Sequence, residues 1–294
     1  MSAPRPEPWR IDKRRARRAF ERAAATYDGA AFLQREVGQR LYERLDLLRG
    51  FRPVRILDAG CGTGALTAQL ARRWRGARVV ALDIAPAMLA RARRRGPWLR
   101  RPWCVAGDIE ALPLAAGSFD LVFSSLALQW CPDLERAIGE LARVLAPGGL
   151  LLFATFGPDT LRELRAAWAE ADGGAHVHVH GFPDLHEVGD LLLHTGLADP
   201  VTDAEWITVR YGDVLELMRD LKAIGARNAA AGRPRGLTGR GRIEALRRAY
   251  GRCRDAGGRL PATFEVVYGH AWKPAGGGAV RVAPPSARRR GGGP

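Results

Sequence analysis

Three short apolar runs each end in a carboxylate, at Asp58, Asp83 and Asp108. The first is followed by glycines at alternate positions, in Asp58-Ala59-Gly60-Cys61-Gly62-Thr63-Gly64. A helical pattern comes next, with Leu66, Leu70 and Trp74 on one side. Strand, glycine turn and helix in that order are how an α/β sheet builds a nucleotide-type pocket. Gly60, Gly62 and Ala65 satisfy G-x-G-x-x-G/A, so spacing alone leaves NAD, FAD and a turn that merely closes a strand–helix corner all open.

Charge separates these ligands. A pyrophosphate wants bare backbone N–H groups at a helix N-terminus, and Asp58, two residues before the first glycine, would repel it. S-adenosylmethionine has no phosphate. Its ammonium and sulfonium are positive, so Asp58 can face the ammonium while the N–H groups of Gly60, Gly62 and Gly64 take the carboxylate. Asp83, with Ile84 beside it, lies 23 residues after Gly60, about where a carboxylate meets ribose hydroxyls. Asp108 and Ile109 together can offer a carboxylate to the adenine amino group and an apolar side chain to its ring. The pattern favours S-adenosylmethionine.

Five strands must carry these groups. They are the run into Asp58, Arg78 to Ile84, Trp103 to Asp108, Ser118 to Ser125, and Leu150 to Thr155. Pro86 suits the first turn of a helix. Leu134, Ile138, Leu141 and Leu145 give an amphipathic helix over 133–145, ended by Pro147-Gly148-Gly149. Strands alternating with helices predict a doubly wound parallel sheet, with the acids aligned along its carboxyl edge.

These motifs, with Phe119-Asp120 and Arg143-Val144-Leu145-x-Pro147-Gly148-Gly149, resemble the class I S-adenosylmethionine-dependent methyltransferases over about residues 50 to 156. That resemblance implies an α/β, Rossmann-like, seven-stranded sheet with its last strand antiparallel. It also assigns the glycines to the methionine part of the cofactor, Asp83 to the ribose, and Asp108 with Ile109 to the adenine. A narrower likeness runs from about residue 12 to 273. It is carried by Phe20-x-x-Ala23-Ala24-x-x-Tyr27-Asp28, Ser124 to Trp130, Thr160 to Arg165 with Trp168, Leu237-Thr238-Gly239-Arg240, and Tyr268-Gly269-His270-Ala271-Trp272. Here the chain is similar to the malonyl-[acyl-carrier protein] O-methyltransferases, which open the biotin pathway.

The resemblance implies methyl transfer to the free carboxylate of a malonyl thioester, on acyl carrier protein or coenzyme A. Such a carboxylate is ionised at neutral pH and needs no general base. What it needs is alignment and a grip, and arginine is suited to planar two-point contact. Arg165, on the helix after the fifth strand, is the leading candidate. Gln129 and Trp130 follow a strand end, and Trp130 could wall the transfer site. Tyr27 would come from an N-terminal helix folded over the cofactor. Arg143 reads as a helix anchor. His176, His178 and His180 alternate and could face one way, but nearby cysteine or carboxylate patterns are lacking and the chemistry requires no metal.

The chain has 294 residues and a formal net charge of +15. Its basic runs, at Lys13 to Arg18, Arg91 to Arg101, Arg227 to Arg242 and Arg288 to Arg290, lack the aromatic interleaving of a single-strand platform. That argues against nucleic acid and fits an acidic carrier protein steered by charge. The four cysteines show no paired or metal-type spacing, which suits a reducing cytoplasm. Met1 to Trp9 lacks the apolar stretch of a signal peptide, and no run is long enough to span a membrane.

The expected organisation is disorder over 1–10, a helical cap over 11–50, and a methyltransferase domain over 51–273. That domain would hold the cofactor core at 51–156, a sixth strand at Asp203 to Tyr211, and a helical lid insertion at 212–258, with a helix over 242–255, between strands six and seven. A disordered basic tail over 274–294 would follow. Two other readings stay open: the same chemistry on another small-molecule or protein acceptor, and a basic nucleic-acid-binding protein on a methyltransferase fold that has lost catalysis. The last leaves the three acids unexplained.

Overall fold

The computed structural model describes residues 10–96, 101–234, 236 and 238–276. Seven strands form one sheet: β1 (Arg55–Ala59), β2 (Arg78–Asp83), β3 (Trp103–Ala106), β4 (Phe119–Ser125), β5 (Leu145–Phe156), β6 (Ala198–Tyr211) and β7 (Leu260–Trp272). Their order is β3-β2-β1-β4-β5-β7-β6. The first five pair in parallel, and β7 runs antiparallel between β5 and β6. Strand order reverses between β1 and β4, which places the ligand crevice of such a sheet at their carboxyl ends.

Successive side chains on the central strands feed opposite faces. Ile56, Leu121 and Phe123 join one apolar cluster; Leu57 and Val122 join the other. The first cluster is covered by α3 (Phe32–Glu43), α7 (Arg162–Asp172) and α10 (Arg240–Gly251), through Val37, Leu41, Leu164, Trp168, Leu246 and Tyr250. The second is covered by α6 (Leu134–Val144) and α8 (Leu185–His194), through Ile138, Leu141, Val188 and Leu192. The period-2 strands therefore hold two helical layers apart, which fixes the carboxyl edge as the rim between them.

Ahead of β1 lie α1 (Lys13–Ala23), the single turn α2 (Tyr27–Ala30) and α3. Asp12 caps α1 by accepting from Arg15 N–H. α4 (Ala65–Arg73) follows the glycine turn and α5 (Pro86–Arg95) follows β2. α9 (Val214–Ala223) and α10 lie between β6 and β7. None of the helices among the described residues is long and apolar enough to cross a membrane.

Three boundaries differ from expectation. β5 begins at Leu145, not Leu150, because the Pro-Gly-Gly segment is a bulge: Phe119 pairs with Leu145 and Leu121 next pairs with Leu150. β6 begins at Ala198, not Asp203. Asp199-Pro200 reads as a turn, yet the segment sits at a register shift on an edge strand, where a missing N–H is tolerated. The helix expected over 242–255 is α10, which ends at Gly251. Of the segments expected to be disordered, 1–9 and 277–294 lie outside the described residues, as does Leu237. Arg10 is held, its carbonyl accepting from Ala231 N–H at 2.9 Å.

Candidate active site

The glycine turn spends its own N–H groups. Those of Gly60 and Cys61 both donate to Leu82 O, at 2.8 and 2.9 Å, and that of Gly64 donates to Cys61 O. Gly62 N–H donates to the Asp83 carboxylate at 2.9 Å, and Ala85 N–H does so at 2.8 Å. The turn thus offers no row of bare donors to a pyrophosphate, nor to a cofactor carboxylate as the sequence suggested. Its use is to let the chain pass close to the ligand while Asp83 is fixed at the end of β2.

Gly60, Gly62, Asp83, Ile84, Asp108 and Ile109 line one groove of about 90 Å³. Asp58 and Gly64 do not. Asp58 is 2 % exposed and accepts from Thr67 Oγ1 at 2.5 Å, beneath the start of α4. Gly64 has φ +80°, and a Cβ there would lie 2.7 Å from Ala92 Cα, so it seats α4 against α5 rather than touching ligand.

Asp108 carries a partner the sequence did not suggest. Lys13, from α1, reaches into the groove and donates to both its carboxylate oxygens at 2.6 and 2.7 Å, and to Glu110. The lysine and Asp108 side chains are 22 % and 34 % exposed, so the pair is partly covered but still reached by solvent.

Tyr27 lines the groove and also a second, larger cavity of about 410 Å³. α2 is tied down by Asp28, which accepts from Thr63 Oγ1 at 2.7 Å and pairs with Arg95. Burial, reinforced by the charge of Asp83, pushes the Tyr27 phenol above its ordinary range, so it remains a donor at neutral pH. Phe20, Leu126 and Trp130 also line both spaces. Phe20 meets Trp130 edge-on at 5.0 Å. Leu126 and Leu161 take φ of 51° and 57°, and both line the larger cavity. Holding a leucine in that region costs about 1–3 kcal/mol and marks a segment the surroundings over-determine.

Gln129 is buried in the larger cavity, donating from Nε2 to Leu126 O at 2.7 Å. Its Oε1 is buried without a protein partner, as are Gln34 Oε1 and His180 Nε2, and all three side chains line this cavity. His180 stands 5.3 Å from the Trp130 ring. Burial, with the nearby Arg165 cation, depresses its pKa to about 4. It is neutral at physiological pH.

Arg165 does not line the cavity. Its guanidinium donates to Pro158 O and Thr160 O, both at 3.1 Å, and so braces the loop between β5 and α7. Helical spacing places its Cα near the carboxyl edge but does not say which way the fork turns. The cations that do line the cavity are Lys222, Arg227 and Arg233. Lys222 is one of only three lysines in the chain, but no spacing rule pointed to it. Arg143 bridges α6 to Leu112 O and Leu114 O, and Asp120 accepts from Val54 N–H and Arg55 N–H, so both act on the scaffold.

The three alternating histidines do not act together. His176 and His178 share Asp172 Oδ2, at 3.2 and 2.7 Å, while His180 turns toward Trp130. Asp172 is thus the nearby carboxylate that was not expected to partner the histidines. His178 stacks flat on Trp168 at 3.9 Å. All four cysteines are free thiols.

Two acids, Asp83 in the groove and Asp58 beneath it, are tuned upward. Burial raises Asp83 from 3.8 to about 6 against the N–H groups of Ala85 and Gly62. Burial raises Asp58 to about 7, against the Thr67 hydroxyl and with the charge of Asp83 adding to the rise. Between pH 4 and 7 the folded chain therefore binds more protons here than the unfolded one. Its ligand-free stability falls as pH rises through that window. Binding a cation or hydroxyl donors at Asp83 requires the ionised form, so affinity moves the opposite way. The Kd for S-adenosylmethionine is expected to weaken about tenfold from pH 7 to pH 5, as one proton on a group near pH 6 demands. Isothermal titration across that range would show it; a flat profile would remove Asp83 from the binding step.

The fold is that of a class I methyltransferase. Residues 57–153 match a family model described as a methyltransferase domain. The YcgJ protein of Bacillus subtilis superposes with a TM-score of 0.56 at 17% identity, covering 80% of this chain and 98% of that one. Haemonchus contortus phosphoethanolamine N-methyltransferase 2, in complex with S-adenosyl-L-methionine, superposes with a TM-score of 0.50 at 17% identity, over 80% and 52% of the two chains. Closer in sequence are malonyl-[acyl-carrier protein] O-methyltransferases. That of Halorhodospira halophila is 56% identical over 89% of this chain and 88% of its own. That of a Methylovorus species is 52% identical over 94% and 92%. The chain belongs to the malonyl-[acyl-carrier protein] O-methyltransferase family.

Proposed function

We propose that this protein transfers a methyl group from S-adenosylmethionine to the free carboxylate of a malonyl thioester borne on acyl carrier protein, giving the malonyl methyl ester. One observation carries the reading: the acid-lined groove and the larger apolar cavity meet at Phe20, Tyr27, Leu126 and Trp130. Two ligands entering from the two sides would touch there and nowhere else.

The residues fit the donor. Asp83 would take the ribose hydroxyls, Ile109 and Asp108 the adenine, and Gly60 and Gly62 would let the methionine part pass. Asp58, fully covered, would add negative field beneath a cationic ligand rather than a direct contact. When bound, the donor supplies an electrophilic methyl on sulfur. The chain's own residues supply alignment and dryness, the terms an in-line displacement most needs. Trp130 and Tyr27 wall the junction and exclude water.

The acceptor carboxylate would be held by neutral donors. His180, uncharged at pH 7, sits beside Trp130 with its buried Nε2 free to donate, and the second Nε2 hydrogen of Gln129 would join it. Neutral donors orient a carboxylate while withdrawing less of its electron density than a bidentate arginine would. Arg165 then acts through the loop it braces.

The test is transfer of labelled methyl to malonyl- and to acetyl-acyl carrier protein. Base-labile label on the malonyl form alone supports the reading, and equal labelling of both would refute it. A malonyl-coenzyme A arm shows whether the protein carrier is needed.

A further inference from the structure

A second space adjoins the acceptor cavity, and its chemistry is different. It is a cleft of about 770 Å³ between α1 and α9, closed at one end by the 227–234 loop. Eight Lys and Arg side chains line it, against the single carboxylate of Asp12. That carboxylate is already engaged as the cap of α1.

α1 divides its faces cleanly. Lys13, Ala16 and Phe20 line the donor groove, at intervals of three and four residues. Arg14, Arg18 and Arg22 follow one another at intervals of four and line the cleft, with Arg15 beside them. These four arginines and Lys222 make no ion pair among the described residues. Several arginines elsewhere do have a carboxylate partner: Arg17 with Glu21, Arg44 with Asp203, Arg55 with Asp120, Arg73 with Asp46, Arg210 with Asp255. In the cleft, five cations thus stand together, and among the described residues no carboxylate of this chain pairs with them to offset them. Like charges so placed repel, and a fold that keeps them together leaves a strong field for an acidic partner.

The cleft also leads somewhere. Lys222, Arg227, Asn228 and Arg233 line both it and the acceptor cavity. A path therefore runs from a cationic face, past a cationic mouth, through an apolar cavity, to the groove of acids. A carrier-bound thioester has the matching order: an acidic protein, a phosphodiester at the root of a flexible arm, an uncharged arm, and the acyl group.

Resting on the function proposed above, we propose that the cleft between α1 and α9 is the docking face for the acidic helical surface of the carrier protein. Arg14, Arg18 and Arg22 meet its carboxylates. Lys222 and Arg227 receive the phosphodiester where the arm turns into the cavity. A nucleic acid backbone would satisfy the charge but would leave the apolar cavity behind the mouth without an occupant.

The experiment uses the full chain with Arg18→Glu and Arg22→Glu together, both exposed and both outside the two inner cavities. Binding of malonyl-carrier protein, read by fluorescence anisotropy, is expected to weaken at least about tenfold. KM for that substrate should rise in step with kcat held. Turnover of a short malonyl thioester, with neither phosphate nor protein, should stay within about twofold. Added salt should weaken binding by the unaltered chain and affect the variant little. Unchanged carrier binding would overturn the proposal, as would equal loss on both thioesters. Tighter binding of a DNA duplex than of carrier, abolished by the same changes, would overturn it in favour of nucleic acid. If the unaltered chain methylates neither thioester, the function proposed above fails; carrier binding that depends on Arg18 and Arg22 would still support the docking face.

Discussion

Asp83→Asn is expected to raise the Kd for S-adenosylmethionine about a hundredfold while the fold survives. Asp83 is 8 % exposed at the end of β2, and its two oxygens already order the glycine turn through Gly62 N–H and Ala85 N–H. A carboxylate can accept from ribose hydroxyls in addition; an asparagine presents an NH2 group on one side and loses the charge. Hydrogen bonds to a charged group contribute about 1.5–3 kcal/mol each, and 1.4 kcal/mol is a factor of ten, so two such contacts give the expected size. The acid is also held near pH 6 by burial, so neutralising it relieves desolvation in the ligand-free chain. Stability should therefore change by no more than about 1–2 kcal/mol. Titration calorimetry and urea unfolding would read the two effects separately. A Kd within threefold of the original would show that the acid at this strand end only shapes the turn.

Trp130→Ala is expected to lower kcat about a hundredfold, with the Kd for S-adenosylmethionine changed far less. The indole borders both the groove and the larger cavity, is packed edge-on by Phe20, and stands against His180. Its loss would join the two spaces and admit water where the reacting groups meet. It would also free Phe20, on which α1 leans over the groove. Misplacement of reacting atoms by about 1 Å costs on the order of a hundredfold in rate. Single-turnover kinetics at saturating donor would isolate this effect. An unaltered kcat would move the transfer site away from the junction.

What the sequence made legible was chemistry carried by neighbours in the chain. The acid–glycine turn, the three strand-end carboxylates and the apolar β4 and β5 follow from short-range rules of period and charge, and Gly60, Gly62, Asp83, Ile84, Asp108 and Ile109 line one groove. What failed was orientation. Arg165 lies on the expected helix, yet its side chain folds back onto Pro158 and Thr160 carbonyls seven and five residues earlier. Asp58 belongs to the motif but lies beneath it. Lys13 pairs with Asp108 across 95 residues, and no local pattern announces such a contact. Leu126 was expected only as part of a segment; its positive φ comes from the tertiary setting of the turn after β4. Lys222, Arg227 and Arg233 could not be singled out for the cavity because a chain with 46 Lys and Arg residues offers too many cations to choose among.

Delivery of the methyl group to a carboxylate oxygen, at the junction walled by Tyr27 and Trp130, can be read from the product itself. The most direct measurement is the NMR position of the transferred methyl after reaction of carbon-labelled S-adenosylmethionine with malonyl-acyl carrier protein. One new methoxy signal of an ester on the malonyl group is expected, forming about a hundredfold more slowly with Trp130→Ala. A methyl on the malonyl α-carbon, on a carrier side chain, or on no part of the acceptor would contradict it.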